Sequence, residues 1–282
     1  MPELNRFTEG QPGNPEVVRT KRRKRGAERR VVSGGLSVLL YQLIGVAIFI
    51  GAWEAVARSG VINSLLLAPP SRVAESIVDL ARQGELWGNI WVTVKEALIG
   101  FGIGVVVGAL LGFVIGLSPV VTNLLNPFIT MLNSTPRIAL APLFVLWFGI
   151  GMTSRVVLVF SLVVFIVLTN TMSGTQSVDP DYLTLAKLLS ARRRQIIVKI
   201  ALPSVLPWIL AAMRVAFAWA IAGAVVGEMF LGQDGLGYLI VAGSGVFNIA
   251  QIFASLVITV AIAYIADRVL WRSERYILRW RD

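Results

Sequence analysis

Neither cysteine nor histidine occurs in the 282 residues. Their absence excludes disulfide frameworks, Cys/His zinc sites and haem ligation by histidine. It also excludes every Ser-His-Asp or Cys-His nucleophile arrangement. It carries no information on redox compartment. Charge is scarce too: 15% of residues are Asp, Glu, Lys or Arg, where soluble domains average about 25%. The phosphate-cradling pattern G-x-x-x-x-G-K-[ST] is missing, so ATP hydrolysis of that type is not expected on this chain. What fills the composition is apolar, 56% of residues with a mean hydropathy of +0.74. That is more apolar surface than one soluble core could hide, and the chain reads as an integral membrane protein.

A membrane-crossing helix needs about 20 mostly apolar residues. Uncharged runs locate six candidates. Val31 to Trp53 is uncharged and gives a first span over 36–53. No small-residue cleavage pattern follows its basic flank, so it is expected to be retained. Ala97 to Pro136 is uncharged for forty residues, too long for one crossing. Ser118-Pro119 and Asn123 divide it into spans near 94–117 and 124–148. Val156–Met172, Pro207–Phe230 and Ile249–Leu270 supply the other three.

The net charge is +10, and its distribution orients these spans. Nine Lys/Arg precede the first span, five lie between the fourth and fifth, and five close or follow the last. Six spans put all three groups on one side, so 19 of the 26 basic residues are expected in the cytoplasm, with both termini. The first 33 residues, rich in Pro, Gly and charge, are expected to be a disordered basic tail, with 34–282 forming the membrane domain. The block Lys21–Arg25 beside a span reads as an orientation signal and anionic-lipid contact, and no nucleic-acid partner is expected.

Three features mark the spans themselves. Gly100, Gly104, Gly108, Gly112 and Gly116 recur every four residues, which places them on one helix face and lets another backbone approach closely. Pro127, Pro136 and Pro142 fall in the third span, where each removes an N–H and frees a carbonyl. Asn133, Ser134, Thr135 and Arg137 stand beside that break. Broken helices with polar groups are where transporters place a pathway, so Asn133, Ser134 and Arg137 are path candidates, along with Arg214 and Glu228 of the fifth span. Those last two lie about 21 Å apart on a straight helix and cannot pair with each other. No metal site, cofactor or catalytic residue emerges.

The inner loop over 174–207 is the most informative stretch. Asp179 reads as an N-cap with Pro180 in the first helical position. Tyr182, Leu185, Ala186 and Leu189 then fall on one face of a short amphipathic helix. Such a helix either lies on the membrane or docks into a groove of a partner.

From Thr184 to Pro203 the loop resembles that of bacterial ABC importer permeases, whose pattern is Glu-Ala-Ala, three residues, Gly, nine residues, Ile-x-Leu-Pro. Ala186, Ile200, Leu202 and Pro203 match in register, while Thr184, Leu185 and Ser190 replace the pattern's Glu, Ala and Gly. Further stretches are similar to the nitrate/sulfonate/taurine branch. They include Leu67-Ala68-Pro69-Pro70-Ser71-Arg72, Ser134-Thr135-Pro136-Arg137, Leu146-Trp147-Phe148-Gly149, Met213-Arg214-Val215-Ala216, Gly227-Glu228-Met229 and Gly235-Leu236-Gly237-Tyr238.

The resemblance implies an all-α fold of about six transmembrane helices with a cytoplasmic coupling helix, in the bacterial inner membrane. Asp181, Tyr182, Leu185, Ala186, Leu189 and Ser190 would seat in a separate ATP-binding subunit, flanked by Arg192 and Arg193. A soluble binding protein would deliver a small anion such as a sulfonate, taurine or nitrate to the outer loops. A second permease subunit, most simply a second copy of this chain, would complete the path. The competing class is a self-contained ion-coupled carrier, which needs coupling carboxylates inside the bilayer. The apolar interiors offer none apart from Glu54 and Glu228 near span ends.

Overall fold

The computed structural model describes residues 35–279, and all regular structure among them is helical. The basic tail over 1–33 and Arg281 lie outside the described residues. Packing divides the chain into two units, one ending at Ala52 and the other starting at Trp53. The first contains the uncharged body of α1 (Gly35–Arg58). Everything below concerns the second unit, which begins with the last turns of α1.

Glu54 in those last turns accepts from both the amide (3.0 Å) and the hydroxyl (2.8 Å) of Ser71. It thereby caps α2 (Pro70–Arg82), a short amphipathic helix that the sequence reading left unassigned. Pro70 starts α2 at the position where a missing N–H is harmless, and Val73 and Leu80 are its buried residues. Next come α3 (Glu85–Gly116), α4 (Pro119–Asn133), a single tight turn over Arg137–Leu140 and α5 (Ala141–Phe148). They lead to α6 (Met152–Gln176), α7 (Pro180–Leu188), α8 (Arg193–Ile196), α9 (Leu202–Leu231), α10 (Leu236–Gly245) and α11 (Ile249–Ile277).

Five of these stretches are long and apolar enough to cross a membrane, in α1, α3, α6, α8–α9 and α11. The pair Pro119–Asn133 and Arg137–Phe148, bent by 72°, is together long and apolar enough for a sixth, as a broken span or a re-entrant loop. Pro136 causes the bend: it cannot donate to a helical carbonyl and biases Thr135 away from the helical region. Five of the six expected spans are therefore matched by continuous helices, and the third falls on the bent pair. The helices outrun them, because α3 already begins at Glu85 and α11 continues to Ile277 past the apolar windows. Between α8 and α9 the backbone loosens into one wider turn over Ile197–Ala201, just ahead of Pro203.

The glycine stripe seats α3 on α6. A Cβ at Gly100 would meet the Val159 side chain at 2.6 Å, one at Gly104 the Val163 side chain at 2.6 Å, and one at Gly108 the Val164 carbonyl oxygen at 2.5 Å. At Gly112 and Gly116 it would collide with the Leu168 carbonyl and the Thr175 hydroxyl. The same valines, Val159, Val163 and Val167, also join Ala212, Ala216, Ala220 and Ala224 of α9 in one buried cluster. Three helices thus pack through small residues, and the contact is van der Waals in kind, as apolar surroundings require.

Candidate functional site

The inner-loop helix forms as its caps dictate. The amide of Asp181 donates to Asp179 Oδ1 at 2.9 Å, and Pro180 opens α7. At its other end Ser190 has φ +58° and the Ala191 amide donates to the Ala186 carbonyl at 2.9 Å. That six-to-one closure around a left-handed residue is a Schellman ending. It explains why the family pattern has glycine at this position: only glycine takes that backbone conformation without strain. The expected apolar face divides in two. Ala186 is buried against the chain itself, while Tyr182, Leu185 and Leu189 are exposed together with Leu188. Ala186 therefore belongs to the seat of α7, and its longer neighbours form an exposed apolar surface. Asp181, Arg192 and Arg193 flank that surface and are exposed.

The broken span builds the second region. A cavity of about 390 Å³ opens between the bend, α6 and α9, with Asn133, Arg137, Leu162, Ile166 and Trp219 in its wall. Arg137 is held on three sides. Its NH2 group donates to the Leu132 carbonyl (2.8 Å) and to Asn133 Oδ1 (3.3 Å), and its guanidinium lies 4.2 Å over the Phe165 ring. The carbonyl ending α4 is a favourable place for a cation. Among the described residues no carboxylate lies within ion-pair distance of Arg137. Ser134 caps α4 through its own hydroxyl, which donates to the Thr130 carbonyl at 2.9 Å, and is not in the cavity wall.

Arg214 and Glu228 are elsewhere. Arg214 Nε donates to Asp267 Oδ1 (3.1 Å) and NH2 to Oδ2 (3.4 Å), with Glu274 at 3.7 Å, so this arginine joins α9 to α11. Glu228 is fully buried. Its Oε2 accepts from the Gly237 amide at 2.7 Å. The amides of Gly235 and Leu236 donate to Asn89 Oδ1 (2.7 Å) and Thr93 Oγ1 (2.9 Å). Three side chains from α3 and α9 thus satisfy the orphan N–H groups that open α10, with a carboxylate at the positive end of the helix dipole. A Cβ at Gly235 or Gly237 would run into Glu228, so the fit requires both glycines.

Beside this cap lies an ionic cluster for which the local sequence gives no signal. Arg155 of α6 is buried, with Glu96 of α3 at 3.2 Å and Asp234 of the α9–α10 turn at 2.9 Å. Its partner Asp234 is 79 residues away in sequence. Neither Glu96 oxygen has a hydrogen-bond donor, although the side chain is fully buried. The carboxylates here surround an arginine, and among the described residues no cluster of acidic groups could hold a metal ion.

The geometry is that of a bundle of long apolar helices with one bent helix pair, an exposed apolar face on α7 and a laced start to α10. Residues 104–270 match the family model described as binding-protein-dependent transport system inner membrane component, and the chain belongs to that family. Among its relatives is SsuC of Bacillus subtilis (strain 168), named for transport of aliphatic sulfonates, 30% identical over 84% of this chain and 86% of that one. The taurine transport system permease TauC of Escherichia coli (strain K12) is 27% identical over 83% of this chain and 87% of its own. In fold, a chain of the MetNI methionine ABC transporter in an inward facing form covers 95% of its length and 70% of this chain, with TM-score 0.56 and 20% identity. The sequence resemblance to ABC importer permeases is thus borne out at the level of family and fold. These relatives are transport permeases, in keeping with a chain that lacks a nucleotide-binding loop.

Proposed function

We propose that this chain is the permease subunit of an ATP-driven importer for a small anion of the sulfonate or taurine type. The observation that carries the anion assignment is Arg137. It is fixed at the bend, faces a cavity, and lacks a carboxylate partner among the described residues, while Arg155 and Arg214 both have one. A cation left uncompensated at membrane depth is costly and marks a path, and a transient anion supplies the missing charge. The exposed face of Tyr182, Leu185, Leu188 and Leu189 is the contact for an ATP-hydrolysing subunit, whose closure moves α6 and α9 through α7 and α8. A soluble binding protein delivers substrate at the laced outer turn. Two copies of this chain enclose the path, with both termini in the cytoplasm. Sulfonate and taurine transport are named for relatives of the chain, and nitrate is the less favoured member of the expected set.

The test is gentle extraction from the native membrane, mass spectrometry of what remains bound, and uptake by the reconstituted complex. Two ATP-binding subunits per two permeases, with uptake lost in Arg137→Gln but subunits retained, support the reading. An oligomer that transports without any ATPase refutes it in favour of an ion-coupled carrier. Wild-type uptake by Arg137→Gln removes this residue from the path.

A further inference from the structure

The wall facing Arg137 carries more information than the charge does. Asn133 and Arg137 make one end of the cavity polar, while Ile138, Leu162, Ile166 and Trp219 make the rest apolar. About 390 Å³ falls within the range of about 300–1,000 Å³ typical of small-molecule sites. A bare inorganic oxyanion at the guanidinium would leave that apolar surface uncovered. Arg137 cannot follow a small ion around the space, because the Leu132 carbonyl, Asn133 and the Phe165 ring fix its position. Such pre-organisation holds one orientation: charged head at Arg137, remainder of the molecule along α6 and α9.

We propose that the permease itself reads the apolar part of its substrate: Leu162, Ile166 and Trp219 form a subsite for the short hydrocarbon tail of an organic anion whose head lies at Arg137. This rests on the reading of the Arg137 cavity as part of the anion path. It places part of the selectivity in the membrane subunit, at named specificity-determining side chains, and disfavours inorganic oxyanions as cargo. Burial of a methylene is worth about a fourfold gain in affinity, so affinity rises along a homologous series until the cavity is full.

The experiment is calorimetric titration of the full permease–ATPase complex in lipid nanodiscs with inorganic sulfate and with methane-, propane- and pentanesulfonate. Sulfate binds weakest, and each added methylene tightens binding about fourfold. Trp219→Ala and Ile166→Asn flatten that progression while keeping the head contact, and Arg137→Gln weakens every anion alike. Equal affinity for sulfate and pentanesulfonate overturns the tail subsite while leaving Arg137 as an anion contact. So does a chain-length dependence that survives Ile166→Asn, the variant to use if Trp219→Ala does not fold. If a complex competent in uptake binds none of these anions, because a lipid chain or nothing fills the cavity, the anion reading of the cavity falls with the proposal.

Discussion

Adding one methyl to the glycine stripe of α3 should separate two kinds of close approach. At Gly108 a Cβ would lie 2.5 Å from the Val164 carbonyl oxygen, and reaching ordinary contact at 3.4 Å requires about 0.9 Å of movement. The obstacle is backbone, so no side chain can turn aside and the α3–α6 pair must part. Overpacking of this kind costs about 1–3 kcal/mol. At Gly104 the obstacle is Val163 Cγ1 at 2.6 Å, a side-chain atom. Gly104→Ala is therefore also destabilising, but Val163→Ala in the same chain removes the Cγ1 contact and leaves Val163 Cβ at 2.8 Å, a partial rescue with a coupling of about 1 kcal/mol. Val167→Ala gives Gly108→Ala no such rescue. Gly102 has open space around its would-be Cβ and serves as the neutral control. Thermal unfolding in a fixed detergent, read by near-ultraviolet circular dichroism, gives the midpoints of the wild type, the five single variants and the two double variants. Gly108→Ala melting with Gly102→Ala, or Val167→Ala restoring it, would refute backbone contact as the basis of the helix pair.

Other perturbations follow from the same geometry. Arg214→Asp should lower the melting midpoint and uptake together, and the swapped pair Arg214→Asp/Asp267→Arg should recover both in part; a swap that restores stability but never uptake would mean that Arg214 acts on substrate. Ser190→Gly should hold or raise stability by up to about 1 kcal/mol and Ser190→Val should lower it, since a left-handed backbone penalises a branched side chain; equal midpoints for both would remove the strain. Leu185→Glu should abolish co-purification of the ATPase without changing the permease midpoint, whereas Ala186→Glu should lower the midpoint itself; the reverse pattern would invert the assignment of the two faces.

Much of this architecture is legible before any coordinates. Uncharged runs located the five long apolar helices and the bent pair because lipid tolerates few charges, and Pro136 marked the bend because its chemistry is local. The four-residue glycine spacing identified the face of α3 that meets α6. Other features required tertiary structure. Arg155 and Asp234 are ordinary surface residues until the fold pairs them across 79 positions. Asn89 and Thr93 resemble any polar residues at the start of a span until α10 places its amides on them. At 10 residues α10 is too short to register as a crossing. Ala186 shared a helical face with Leu185 in projection, and only the packed chain distinguishes the inward methyl from the outward isobutyl groups.

The laced start of α10 has a mechanical consequence. Separating α3 from α9 at this end strips α10 of two acceptors if it stays with α9, or of one if it stays with α3, and Thr93 and Glu228 are fully buried there. An unpaired buried group costs about 1–3 kcal/mol, so that end resists opening more than the glycine-lined shaft resists tilting. With 32 residues α3 is a rod of about 48 Å. Pivoted at its Asn89–Thr93 end, it would convert a tilt of about 10° into roughly 8 Å of travel at the Gly116 end. On the proposed function, the start of α10 is the fulcrum, and the α6–α7 loop lies at the long end of the arm, where a small rotation becomes a large displacement.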